Sequence, residues 1–347
     1  MRDTDTESEG TGPHFISAHM VAERAGVSRS AVSRAFTPGA SIAPETRKKV
    51  MQAAAELGYQ VNDLARGLLA NRSRLVGLVA SDPASPFRAL QVAALSRRFV
   101  ERGSVPILIP TGPGEDQVRA AHSTLLRYRA EATIVLSGMP SSSIVELAQR
   151  NGQPLIVMGR TEHGPDHIRI DNARAAQVAV EVFLARGMTK LGFVTSAVGS
   201  PNLIEREEGF VATARKHGLE VKLQRARYTD YDGGQTAASL LLGAGDPVEA
   251  VFCVNDLMAL GLMDYARDVL NLSIPEDLSV IGFDGIPETR WGAYRLTTFH
   301  QDVEMLAAET IRVLDQRQAD PKAPPIVSVL EVPLIYRGSV RPLKGGT

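Results

Sequence analysis

The chain changes its hydrophobic rhythm near residue 74. Before that point, apolar positions recur three and four apart, the spacing of one helix face. Val21, Ala22 and Ala25 form one stripe, with Ser17 as a candidate N-cap ahead of them. Val32, Ala35 and Phe36 form a second, behind Ser28. Val50, Ala54 and Leu57 form a third, with Pro44 suited to its first turn and Gly58 to its stop. Gly26 supplies the unusual backbone angle of a tight break between the first two. The pattern predicts three helices, with a helix-turn-helix in front. The second helix would turn Arg29, Ser30, Ser33 and Arg34 outward. An ordinary solvated helix has such a face. So does a helix built for the major groove of DNA, where Arg bonds guanine edges in pairs and Ser reaches phosphates or bases.

After residue 74 the pattern becomes short apolar runs separated by helical stretches. "RLVGLVAS", "VPILIP", "ATIVLSG", "PLIVMG", "KLGFVTS", "VEAVFCVND" and "LSVIGFDG" are expected to be buried parallel strands. Strand alternating with helix means α/β layers. The spacing allows roughly eleven strands, many for one open sheet. Two similar lobes are expected, divided near 161–171 and crossing back near 296–300.

Composition adds limits. The 347 residues are 44% hydrophobic and 22% charged, ordinary for soluble globular domains. The single cysteine, Cys253, cannot form an internal disulfide or a zinc cluster, which points to a reducing, cytoplasmic setting; it is expected to be a small buried hydrophobe. Residues 1–14 are acidic and polar, unlike a signal peptide, and are expected to be a disordered leader. No run approaches the ~18 apolar residues of a membrane span. The net charge is −1, yet residues 14–75 hold nine Arg/Lys against four Asp/Glu, a modest footprint for a polyanion.

Several words taken together resemble the lactose-repressor (LacI/GalR) family of transcription factors: "AGVSRSAVSRAF", "ETRKKVMQAAAELGY", "NDLARGLL", "VNDLMALGLM", "IPEDLSVIGFDGIP", "LTTFHQD" and "RGS". They cover about residues 15–340, in the family's order. The resemblance implies a helix-turn-helix head over 15–60, a hinge helix and linker over 61–73, and an effector-binding and dimerisation unit over 74–340, with 341–347 as a tail. The fold class is then an α head plus α/β, with two doubly wound parallel-sheet lobes of the periplasmic-binding-protein type. Arg29, Ser30 and Arg34 match base-reading positions. Ser28 and Ser33 match phosphate contacts, and Ser17 joins the DNA-contacting set. Residues 62–70 match the hinge helix, with Asn62, Ala65, Arg66 and Leu68 on DNA. Leu68 stands where the family wedges a leucine into the minor groove; such a wedge kinks DNA most cheaply at a flexible step such as a central CG. A packed linker residue is the alternative for Leu68. Three departures surround these positions: Met20 for the usual Asp, Ala43-Pro44 for the usual Ser-Glu, and Val61 for the usual Pro.

In doubly wound sheets, ligands lie beyond the carboxyl ends of strands. The family's small-molecule contacts match Arg206, Asn255, Asp284 and Gln301. Phe87, past the first strand, and Trp291 could cover an apolar ring face. This set suits a polyol: Asp accepts from two hydroxyls, Arg donates in a fork, and amides do both. Each has an alternative. Arg206 could pair with Glu205 or Glu207, Asn255 and Asp256 could be N-caps, Asp284 could cap a loop, and Trp291 could be core. Asp171 and Asn172 are expected to be a turn and cap.

"TGPGE" lacks the following Lys-Ser/Thr of a phosphate loop, and His163 and His167 lack metal-ligand spacing. No arrangement argues catalysis, so neither enzyme activity nor a cofactor is expected. A dimer on a palindromic operator is expected. The few residues after "RGS" carry no leucine heptads, so no tetramerising coil is expected. The effector would be a sugar or sugar-like; a nucleobase or protein corepressor is the alternative.

Overall fold

The computed structural model describes residues 16–343 apart from 38, 62–72, 113–114, 137–141, 160–163, 244 and 246. The chain divides into two compact units between Ser73 and Arg74.

The first unit holds α1 (Ala18–Ala25), α2 (Arg29–Ala35) and α3 (Pro44–Leu57). Ser17 Oγ accepts from the Met20 amide at the start of α1, and Ser28 Oγ from the Ala31 amide at the start of α2. Gly26 and Gly58 close α1 and α3 at φ 65° and 68°. Ala43 gives α3 no side-chain cap, and Pro44 opens it. The three apolar faces meet in a small core of Val21, Ala22, Val32, Ala35, Val50, Ala53 and Ala54. Phe36 packs edge-on against Tyr59 at 5.5 Å. Arg47 of α3 ties down the end of α2. Its guanidinium donates to the Ala35 carbonyl at 2.6 Å and the Ala40 carbonyl at 3.3 Å, placing a cation at the negative end of the helix. Arg47→Ala should cost the head roughly 1–2 kcal/mol. Faster amide hydrogen exchange over residues 31–36 should show it; unchanged exchange would mean that the apolar core alone holds α2.

The second unit contains two parallel-sheet lobes. The first is built from β1 (Leu75–Ser81), α4 (Pro86–Arg102), β2 (Val105–Thr111), α5 (Glu115–Arg127), β3 (Ala132–Val135), α6 (Ser142–Arg150), β4 (Leu155–Met158) and β5 (Asp166–Ile170). The second follows with α7 (Asn172–Leu184), β6 (Leu191–Ser196), α8 (Pro201–Lys216), β7 (Val221–Ala226), α9 (Tyr231–Leu242), β8 (Ala250–Cys253), α10 (Asp256–Asp268), β9 (Ser279–Asp284) and β10 (Thr297–His300). The strand orders, β5-β4-β3-β1-β2 and β10-β9-β8-β6-β7, are the same arrangement repeated. After β10 come α11 (Val303–Ala319), β11 (Val327–Leu330) and β12 (Leu334–Ile335). β11 adds to the first sheet in parallel beside β5, and β12 adds to the second antiparallel to β10.

The chain leaves the first lobe after β5, within the expected interval. The return comes directly after the expected 296–300. Those residues are β10, paired with β9 inside the second sheet. The crossing follows them, into α11, which packs on α4; a further crossing separates β11 from β12. β2, expected to be buried, is half-exposed because it is a sheet edge. The second lobe's core is a run of phenylalanines. Phe210 lies 5.3 Å from Phe193 and 5.6 Å from Phe252; Phe252 and Phe283 each lie 5.7 Å from Phe299. Cys253 is fully buried beside them, and burial pushes its thiol up.

Candidate DNA-reading face and interlobe cleft

On the head, Ser28, Arg29, Ser30, Ser33 and Arg34 are all exposed, while Ala31, Val32 and Ala35 between them are buried. That alternation leaves α2 one polar face with two guanidinium groups on it. Ser17 is exposed as well. Ser17 and Ser28 already accept backbone hydrogen bonds as N-caps, so each has its O–H left to donate, Ser28 either to Ser30 or to an outside acceptor. Ser28 Oγ also lies 2.9 Å from Ser30 Oγ. Asn62, Ala65, Arg66 and Leu68 lie outside the described residues.

In the second unit the strand ends of both lobes face a cleft of about 460 Å³. Phe87, Arg206, Asn255, Asp284 and Gln301 all line it. Trp291 does not. The 3₁₀ turn Pro287–Arg290 carries the chain away from the strand end first, leaving Trp291 56% exposed with its ring 6.5 Å from Tyr294.

Asp284 ends β9 at φ 118°, a strained conformation for any residue with a side chain. Gly285 follows at φ 77°, where a Cβ would come within 2.2 Å of His300 Nδ1. The turn is held from behind by Asp256, which is fully buried. One carboxyl oxygen accepts from the Gly285 and Ile286 amides at 2.6 and 2.9 Å, and the other meets Thr298 Oγ1 at 2.6 Å. Gln301 Nε2 donates to Asp284 Oδ1 at 2.7 Å. Burial pushes the Asp284 carboxyl up to about 6, against the pull of Arg206, the Gln301 hydrogen bond and Arg88.

Arg206, from α8, is 5% exposed. Its Nε donates to Asn172 Oδ1 at 2.7 Å and its Nη1 to the Val254 carbonyl at 2.6 Å, and the guanidinium lies 3.4 Å over the Phe283 ring. It is therefore not a surface partner of Glu207, which pairs with Arg225. Burial pushes its pKa down to about 10, opposed by Asp284, Asp256 and Glu205. Asn255 caps α10 by accepting from the Met258 amide, donates to the Thr229 carbonyl at 3.1 Å, and still lines the cleft. Cap and cleft residue are one and the same here. Asp171 caps α7 by accepting from the Arg174 amide. Asn172 is buried and is more than a turn residue, because it orients Arg206 and donates to Glu205 at 3.1 Å.

Arg88 is a cleft residue that the apolar pattern did not reveal. It stands in the first turn of α4, and its Nη1 donates to the Leu136 carbonyl and to Gln91. Burial pushes its pKa down to about 10 against Asp284 and Asp82. The two lobes thus build matching features. Each brings an arginine to the cleft, anchored on the carbonyl just past a central strand, β3 in one case and β8 in the other. Both arginines act on Asp284. The arrangement can bind and orient a polar small molecule; among the described residues no group of three metal-ligating side chains converges.

Comparison with known proteins agrees with this architecture. The family model "Bacterial regulatory proteins, lacI family" matches residues 19–62, and that of a periplasmic binding protein-like domain matches 180–340. The HTH-type transcriptional repressor PurR of Pasteurella multocida is 28% identical over 330 residues, covering 92% of this chain and 97% of its own. The HTH-type transcriptional repressor CytR of Escherichia coli K12 is 28% identical over 330 residues, covering 93% and 96%. The crystal structure of the Lac repressor dimer bound to operator and the anti-inducer ONPF superposes with a TM-score of 0.85 at 23% identity, covering 94% of this chain and 99% of that one. The CelR–cellobiose complex gives 0.67 at 25% identity, covering 93% and 99%. A helix-turn-helix head joined in one chain to a two-lobed, periplasmic-binding-type unit defines a bacterial transcriptional regulator. The matches together support a LacI-family regulator. Its relatives are DNA-binding repressors, not enzymes. Among the described residues no helix is long and apolar enough to cross a membrane.

Proposed function

We propose that the chain is a cytoplasmic, effector-controlled repressor that binds a palindromic operator as a homodimer. Residues 62–70, outside the described residues, contact the operator, with Leu68 at a central CG step. The observation that carries the effector half is the cleft, where Asp284, flanked by an arginine from each lobe and bonded to Gln301, stands open to a polar guest. A sugar or sugar-like molecule suits it, because vicinal hydroxyls donate to Asp284 and accept from Arg88 and Arg206 in one geometry. The cellobiose complex of CelR supports the same class. An effector touching both lobes favours one lobe angle over another, and that difference can bias DNA binding.

The test is operator binding with and without a panel of sugars. A stereospecific sugar that changes operator affinity supports the reading. A nucleobase hit, or dependence on a protein corepressor, would replace it. For the head, Arg34→Ala should cost about 1–3 kcal/mol at the operator and relax preference at one base pair. A binding-site selection with unchanged preference would remove Arg34 from the reading face.

A further inference from the structure

The cleft is richer in hydrogen-bond donors than a neutral sugar requires. Its charged lining residues are Arg88, Arg169 and Arg206 against Asp82 and Asp284. Arg88 and Arg206 share Asp284 as their electrostatic partner, and Asp82 adds to Arg88. Arg169, on β5, is in a different position. The nearest carboxylate described for it is Glu205, with Nη1 3.9 Å away, and Glu205 already accepts from Asn172 at 3.1 Å. The Arg169 Nε is buried with no acceptor at all. The Arg169 side chain as a whole is 35% exposed and lines the cleft, so its guanidinium can take an acceptor from a bound molecule.

Besides Glu205, the side of the cleft around Arg169 offers the Asn202 amide, whose Oδ1 accepts from Asn172 Nδ2 at 3.4 Å and whose Nδ2 can donate. Gly159, whose amide donates to the Ile168 carbonyl beside Arg169, lies next to Asn202, with a Cβ there meeting its Nδ2 at an ordinary contact distance of 3.5 Å. Asn202 is in the first turn of α8. That helix begins Ser200-Pro201, and the Ser200 hydroxyl lines the cleft without capping the helix. α4 begins in the same way, with Ser85-Pro86, and Ser85 also lines the cleft without capping. Two helix starts with unused hydroxyls therefore bound the same space, and helix starts favour negative charge.

We infer that the effector carries an anionic group, a carboxylate or a phosphate, seated on Arg169 against the start of α8, while its hydroxyls are read by Asp284, Asn255 and Gln301. This deepens the sugar-like reading and rests on it. The ligand class is sugar acids and sugar phosphates rather than free sugars.

The full-length protein is titrated with matched sets: neutral hexoses and pentoses, their uronic and aldonic acids, and their terminal phosphates. Thermal shift finds ligands and calorimetry measures them. The expected result is a stereospecific anionic ligand that binds at least about tenfold tighter than its neutral counterpart, with that margin lost in R169Q and partly kept in R169K. A hit among the acids alone identifies a carboxylate; a hit among the phosphates alone identifies a phosphate. A neutral sugar binding as well as its acid and phosphate, or R169Q leaving the margin intact, overturns the anionic group and leaves the sugar cleft standing. A shift that survives R169Q but disappears in R34A belongs to the DNA head and also overturns it. No hit from any sugar, acid or phosphate overturns both readings together.

Discussion

Asp284→Asn is expected to abolish the effector response while operator binding without effector stays close to normal. The substitution is chosen for its backbone. Position 284 has φ 118°, and Asn tolerates positive φ better than Ala, so the turn survives. The amide can still meet Gln301. What is lost is an ionised acceptor for the ligand's hydroxyls, worth on the order of 2–3 kcal/mol, or roughly 30- to 150-fold in Kd. Effector titration by calorimetry and operator binding by fluorescence anisotropy separate the two functions. A variant that loses both would show that the Asp284 turn is needed for folding rather than for recognition.

The pH profile adds a sign to this prediction. Burial holds the Asp284 carboxyl up at about 6, above the ordinary range for Asp. For a ligand that does not itself titrate between pH 5 and 7, affinity should fall about tenfold as pH drops from 7 to 5, because protonation removes the acceptor. In Asp284→Asn that dependence should be flat. Stability runs the other way. A carboxyl with a folded pKa above its unfolded one binds more protons when folded, so it contributes most at low pH and loses that contribution as pH rises from about 4 through about 6. The ionised form is therefore a local strain on the fold, kept for binding, and its removal should not depress the unfolding midpoint.

Much of this site was legible before any coordinates. Helical spacing placed Val21, Val32 and Val50 in the head's core and left Arg29 and Arg34 outside, because a three-helix unit has only one way to bury such narrow stripes. Strand-end polar residues were found because doubly wound sheets put strand ends at the cleft. What escaped was written in other patterns. β5, "DHIRI", and β7, "VKLQRA", are strands whose polar residues hide them from a search for apolar runs, and Arg169 was hidden with β5. Arg88 lies in a helix's first turn, where no periodicity marks it. One signal could have found it. "SDPASPF" after β1 and "SAVGSPN" after β6 place Ser, Ser and Pro at the same three positions, Ser81-Ser85-Pro86 and Ser196-Ser200-Pro201. That repeat announces two equivalent helix starts at one cleft. Trp291, offered as a cover for an apolar ring face or as core, is neither a lining residue of the cleft nor buried, because a 3₁₀ turn stands between it and the end of β9.

Asp256→Ala is expected to be the most damaging single change in the second unit, lowering its stability by about 3–5 kcal/mol and taking the effector response with it. The carboxyl is completely buried and serves three groups: the amides of Gly285 and Ile286 and the hydroxyl of Thr298. Alanine leaves all three facing a small void. The loss of the two amide bonds also frees the turn that forces Asp284 to its positive φ, so the binding carboxylate moves although it has not been changed. The charge itself is not what the fold requires. Burial, with Asp284 nearby, pushes Asp256 well above the usual carboxylate range, against the hydrogen bonds from Thr298, Ile286 and Gly285. One oxygen accepts both amides and the other accepts from Thr298 Oγ1, which also lies 3.3 Å from the Phe299 carbonyl and can donate there instead. An asparagine keeps one oxygen for the two amides and turns an N–H on Thr298 Oγ1, whose own hydrogen then goes to the Phe299 carbonyl. Asp256→Asn should therefore recover most of the loss, to within about 1 kcal/mol of the native protein. Urea denaturation of the two variants side by side decides the point. If asparagine proves as damaging as alanine, the site holds an ionised carboxylate after all, and two negative charges, not one, stand behind the ligand.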